Sequence, residues 1–152
     1  MLAANGDGTE NRQADRESGK LSPKATVIAK LNEIIGQEIV NRETGIVATL
    51  GRRGINKMVS NRAVNKSLAN GYSQSQHLQA AKRIKELYEQ ARLVAMRPDR
   101  NQDSNISSIK IFGCDIMVES KAAFASITVK ESIVHGHKIY SVELMQLESP
   151  RS

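Results

Sequence analysis

The chain has 152 residues, a net charge of +6, a single cysteine and no tryptophan. That length supplies one domain's core, and one cysteine excludes an internal disulfide and zinc-finger spacing. Aromatics at 3% are too few for a platform that stacks single strands on exposed rings.

Residues 1–21, MLAANGDGTENRQADRESGKL, are polar, contain glycine and show no apolar period, which predicts a disordered tail or a linker cut from a longer polypeptide. No apolar run approaches the ~20 residues of a membrane span, and this first segment lacks the apolar core of a signal peptide. A cytoplasmic, reducing setting without membrane contact is therefore expected.

Ser22 followed by Pro23 is a helix start signal. Val27, Ile28, Leu31, Ile34, Ile35 and Ile39 recur at three and four, so a helix with one buried face is predicted from there to about Asn41. TGIVATLG is a short strand candidate. Two helical turns are expected over 55–59 and 63–68, with Asn70-Gly71 as the stop. The next helix is predicted over 75–93, with His77, Ala81, Ile84, Tyr88 and Ala91 on its inner stripe. RPDRNQDSN reads as a loop. Beyond it the period changes to two, and ISSIKIF, CDIMVES, AFASITVKES and KIYSVELMQL read as four strands, the last two joined by the turn VHGH. Helices first and strands after predict an α+β fold, N-terminal helices packed on a C-terminal antiparallel sheet of about four strands, in one domain over 22–148.

The positive charge is concentrated. Residues 51–100 hold Arg52, Arg53, Lys57, Arg62, Lys66, Lys82, Arg83, Lys85, Arg92, Arg97 and Arg100 against Glu86, Glu89 and Asp99. Elsewhere bases and acids nearly balance, as expected if one surface meets a polyanion. A solvated helical surface has the same composition. Arg52, Arg53, Lys57, Lys82 and Lys130 are the expected nucleic-acid contacts.

His77, in a first helical turn, feels the partial positive charge of the helix N-terminus, which favours the neutral ring. If ANGYSQ folds the chain back, Lys66 and Ser67 approach it. A base, a cation and a hydroxyl suit metal-free RNA cleavage, in which the ribose 2'-hydroxyl attacks the adjacent phosphate. A lone histidine at a helix start also serves as a cap or a packing residue. Thr128 and Lys130 share one strand face, and Tyr140 and Ser141 point oppositely, so at most one of the latter pair joins the same site. His135 and His137 have no evident third ligand for a metal. Cys114 has no local base, which predicts a small packing residue. No phosphate loop, dinucleotide fingerprint or zinc-protease motif is present, so no cofactor or metal is expected.

GIVATLGRRGINKMVSNRAVNKSLANGYSQSQHLQAAKRIKELYEQARLV, the RPDR loop, ASITVKES and HKIYSVELMQLE together resemble the phage-type nuclease domains of the barnase/EndoU/colicin/RelE-like superfamily. These are found at the C-termini of large polyvalent proteins of phages and mobile elements and of polymorphic toxins. The resemblance covers about residues 45–148. It implies a metal-independent, toxin-like endoribonuclease acting on tRNA, rRNA or mRNA, paired with an immunity protein or antitoxin. Carried over, it makes His77 the acid or base, Lys57 and Lys66 phosphate contacts, and Ser67, Thr128 and Tyr140 hydroxyl donors. The Glu-plus-His pairing of the barnase type is not evident, Glu131 and Glu143 being the available carboxylates. A non-catalytic nucleic-acid- or protein-binding module of a larger polypeptide is the alternative.

Overall fold

A computed structural model describes residues 22–98 and 106–150; the expected tail over 1–21 and most of the expected loop after Arg97 lie outside them. The first helix is α1 (Pro23–Asn32), capped by the Ser22 side chain, which accepts from the Ala25 N–H, with Pro23 in its first turn. It stops well before Asn41, because Gly36 takes a positive φ of 80° and the chain enters strand β1 (Ile39–Val40). Strand β2 (Val47–Leu50) follows, then α2 (Arg52–Met58) and α3 (Asn61–Ala69), both where the pattern predicts short helices.

The helix expected over 75–93 is two. Its N-terminus is fixed by a capping box between Ser73 and Gln76 at the start of α4 (Gln74–Lys82). Arg83, at φ −98° and ψ 15°, separates this from α5 (Ile84–Gln90). The Asn41 side-chain amide then donates to the Tyr88 and Ala91 carbonyls, both at 2.8 Å, and satisfies the end of α5 where the chain turns extended. Strand β3 (Arg92–Arg97) begins at once.

Three long strands complete the fold: β4 (Ile106–Val118), β5 (Lys121–Val134) and β6 (His137–Glu148). ISSIKIF and CDIMVES are one strand, because Gly113 continues the ladder opposite Ser126. Both connecting turns have two residues with φ > 0, Glu119-Ser120 and His135-Gly136, the twist that long antiparallel hairpins prefer.

The α+β class and the hairpin at His135-Gly136 agree with expectation; the sheet is larger than expected. It has six strands in the order β1-β2-β6-β5-β4-β3, and β2 runs parallel to β6, Ala48 beside Tyr140 and Leu50 beside Val142. One sheet face, bearing Phe112, Ile127, Val129, Val142 and Met145, packs with Val27, Leu31, Ile55, Leu78, Ile84 and Tyr88 of the helices into the core. Cys114 packs against it, as expected, and burial pushes its thiol up. Among the described residues no helix is long and apolar enough to cross a membrane.

At Gly54 the backbone of α2 lies close against β6. A Cβ there would lie 2.3 Å from the Val142 carbonyl oxygen, a backbone atom that cannot turn aside. Gly54→Ala is expected to shift α2 off β6 and lower stability by about 1–3 kcal/mol, read as a reduced urea midpoint. Gly51→Ala, where nothing lies within 4 Å, is the control.

Candidate functional site

Beyond Leu50, β2 ends and β6 loses its outer neighbour; the last β2 pairing is with Val142. Helix α3 takes the place of the missing strand. Ser67 Oγ accepts from the Leu147 N–H at 2.9 Å, and the Asn70 side-chain amide donates to the Leu147 carbonyl at 2.9 Å. Two side chains of the NKSLANG stretch thus satisfy a strand edge that would otherwise be unpaired.

His77 completes this arrangement. Its Nε2 lies 2.7 Å from the Met58 carbonyl. A carbonyl only accepts, so Nε2 carries the proton and Nδ1 is free to accept from the Ser67 hydroxyl at 2.7 Å. His77 and Ser67 are both fully buried. Burial lowers the His77 pKa, against the opposing pull of the Met58 carbonyl, and the Lys24 charge lowers it further. The ring is a neutral tie between α2, α3, α4 and β6. The chain folds back so that Ser67 reaches His77, whereas Lys66 stands apart, in a cleft between α2–α3 and the sheet. In this arrangement, however, the ring and the hydroxyl have no solvent face and no unused polar atom, so neither meets a bound phosphate.

The residues that do face a common opening form a cleft of about 310 Å³ between α2–α3 and the outer face of the sheet, lined by Lys57, Ser60, Arg62, Ala63, Lys66, Ile109, Thr128, Lys130, Glu143 and Leu144. Register explains its chemistry. Thr128 pairs with Leu144 and Val129 with Val142, so Glu143 is an extra residue with no partner across the ladder. This β-bulge turns Glu143 and Leu144 both outward, while Val142 and Met145 stay in the core. Glu143 Oε1 then sits 2.8 Å from Lys57 Nζ and 3.4 Å from Lys130 Nζ, and Oε2 accepts from Ser141 Oγ at 3.2 Å. Burial pushes the Glu143 carboxyl up, but the Lys57 hydrogen bond and the Lys130 and Lys57 charges outweigh it and hold the group below its usual range.

Lys57, Lys66, Thr128 and Lys130 therefore meet in one place, joined by Arg62, Ser60 and Glu143. Arg52 and Arg53 extend the basic surface, lining with Asn56 a groove that shares Lys57 and Ser60 with the cleft. Arg97 pairs with Ile109, and Ile109 with Lys130, so another cation stands on the same sheet face. Four expected residues do not join: besides the buried His77 and Ser67, Lys82 and Tyr140 lie elsewhere. Lys82 lines clefts against α1, with Pro23 and Val27 and with Lys30 and Leu31. Tyr140 turns to the helical side of the sheet, where it packs against the core. Burial, then the charge and hydrogen bond of Glu131, raise the Tyr140 phenol pKa, and Glu131 lies 3.1 Å from Lys110. Among the described residues no group of histidine, cysteine, aspartate or glutamate is arranged to hold a metal ion.

Residues 20–140 match the model of the large polyvalent protein-associated domain 3. The chain belongs to that family. The expected kinship with large polyvalent proteins is thereby established, although the family description names no nuclease. No curated protein and no solved structure matches the chain significantly.

In this polyvalent protein-associated domain His77 has a measurable signature. The unfolded ring titrates near 6.5 and the buried one lower, so the unfolded chain binds the extra proton. The contribution of His77 to stability is complete above that value and is lost as pH falls through and below it. Urea midpoints taken as pH falls should decline in the wild type and decline less in His77→Gln. Ser67→Ala, which strands the buried Leu147 N–H, should cost about 1–3 kcal/mol at pH 7.

Proposed function

We propose that the cleft binds the sugar-phosphate backbone of RNA, and that the domain is a metal-independent endoribonuclease with Glu143 in place of His77 as the base. The observation that carries this reading is the placement of Lys57, Arg62, Lys66 and Lys130 around one carboxylate on an open sheet face. Cations in a partly enclosed groove concentrate a polyanion, while Ile109, Ala63 and Leu144 give the cleft an apolar floor that suits a nucleotide better than a bare anion.

A phosphate entering the cleft competes with Glu143 for Lys57 and Lys130. As they turn to the phosphate, the carboxylate loses the charges that depress its pKa and becomes a stronger base. It then takes the proton of the ribose 2'-hydroxyl, O2' bonds to phosphorus, and the P–O5' bond breaks. The products are a 2',3'-cyclic phosphate and a 5'-hydroxyl, whose proton comes from the Lys57 or Lys66 ammonium. Thr128 donates to a phosphate oxygen. The family description favours action as one module of a longer polypeptide, and an acidic immunity protein or antitoxin would cover the same cleft.

A second reading, binding without cleavage, draws on a specific feature: with RNA absent Glu143 is doubly paired and a weak base, and His77 is sealed in the core. Incubation with total RNA in excess EDTA separates the two. Cleavage that falls about 10²- to 10⁴-fold in Glu143→Gln, with binding retained, supports the enzyme; intact binding with no cleavage by the wild type leaves the binding module. Lys57→Ala with Lys130→Ala should flatten the dependence of log affinity on log salt by about 0.7 for each phosphate no longer neutralised, and Lys82→Ala should leave the slope unchanged.

A further inference from the structure

Next to the charged row on the outer sheet face lies an apolar one. Val40 pairs with Val47, and Val47 precedes Ala48, whose β6 partner is Tyr140, so Val47 stands beside Ile139. Cross-strand partners point to the same face. Ile39, Ala48 and Tyr140 turn to the core, and alternation therefore turns Val40, Val47 and Ile139 outward. They are 48%, 37% and 45% exposed, three β-branched side chains abreast on three adjacent strands. Two residues further along, on the same face, come Thr49 and Ser141, with Ser141 paired to Lys130. The spacing between these rows is about 7 Å, the order of one nucleotide's reach from phosphate to base.

A polyanion alone gains nothing from an apolar row, and a duplex keeps its base faces inside the stack. The chemistry that engages both rows is an anionic backbone with free ring faces. We infer that Val40, Val47 and Ile139 form a subsite for an unpaired nucleobase, so that the domain takes single-stranded RNA in preference to duplex. This rests on the RNA reading of the basic cleft. The row makes aliphatic contact rather than aromatic stacking, and it presents no polar group that distinguishes one base from another.

The test uses the full chain and a fluorescently labelled 2'-O-methyl hexanucleotide, which cannot be cleaved through its 2'-oxygen, read by anisotropy. Its abasic counterpart, carrying the same phosphates, and the corresponding duplex are the comparisons. The wild type is expected to bind the base-bearing strand about tenfold more tightly than the abasic one, the scale of one or two methylenes removed from water. Val47→Thr with Ile139→Thr, both strand-compatible at exposed positions, should abolish that preference and leave abasic and duplex binding unchanged. Equal wild-type binding of base-bearing and abasic strands overturns the subsite and spares the basic cleft; no binding of any of the three overturns both. Concentration-dependent dimerisation of the wild type that the double variant loses also overturns the subsite, because the row would then be a contact between copies.

Discussion

Beyond Val142 the strand β6 has no outer neighbour, and its backbone must be satisfied by something other than a strand. The solution is a helix: Ser67 and Asn70 of α3 meet the N–H and the carbonyl of Leu147. The Ser67 hydroxyl serves one strand group only if its own proton is directed elsewhere, and His77 Nδ1 takes it. Nδ1 accepts because Nε2 is committed to Met58. A chain of single-choice hydrogen bonds thus runs from the end of α2 through α4 and α3 to the sheet. The cleft lies directly above it, and Lys57, Arg62 and Lys66 project from the helices that it fixes.

The cleft shows how one register slip creates chemistry. Without the bulge at Glu143, alternation would send either Glu143 or Leu144 into the core. With it, both face outward between Thr128 and Lys130, and the carboxylate finds two lysines that outweigh its burial penalty. The carboxylate bridges Lys57 of α2 and Lys130 of β5, and so ties a helix to the sheet within the cleft.

Local signals are readable where local chemistry decides the outcome. Ser22-Pro23 starts α1, Asn70-Gly71 ends α3, and His135-Gly136 turns the last hairpin. Long-range pairing is not readable. The β2–β6 parallel contact joins segments about ninety residues apart, and no pattern in TGIVATLG announces it. His77 stands on the inner stripe of its helix, as its spacing predicts, but the chemistry that a titratable ring beside lysines suggests is denied by its burial. Lys82 and Lys57 share the same basic third of the chain and diverge because α4 turns one towards α1. In the sequence Glu143 is only one of two spare carboxylates, since a bulge is a property of the pairing rather than of the strand that carries it.

The β2–β6 pairing also constrains the order in which the molecule can form. The hairpin of β1 and β2 precedes every helix of the cleft, yet its inner strand β2 docks on the last strand of the sheet. A growing chain can build α2 to α5 by local contacts while β2 waits for its partner, and loop closure of this length slows the final step. The cleft needs Glu143 from that same last strand. During synthesis its helices exist before its carboxylate does, and the cleft is complete only when β6 inserts between β5 and β2.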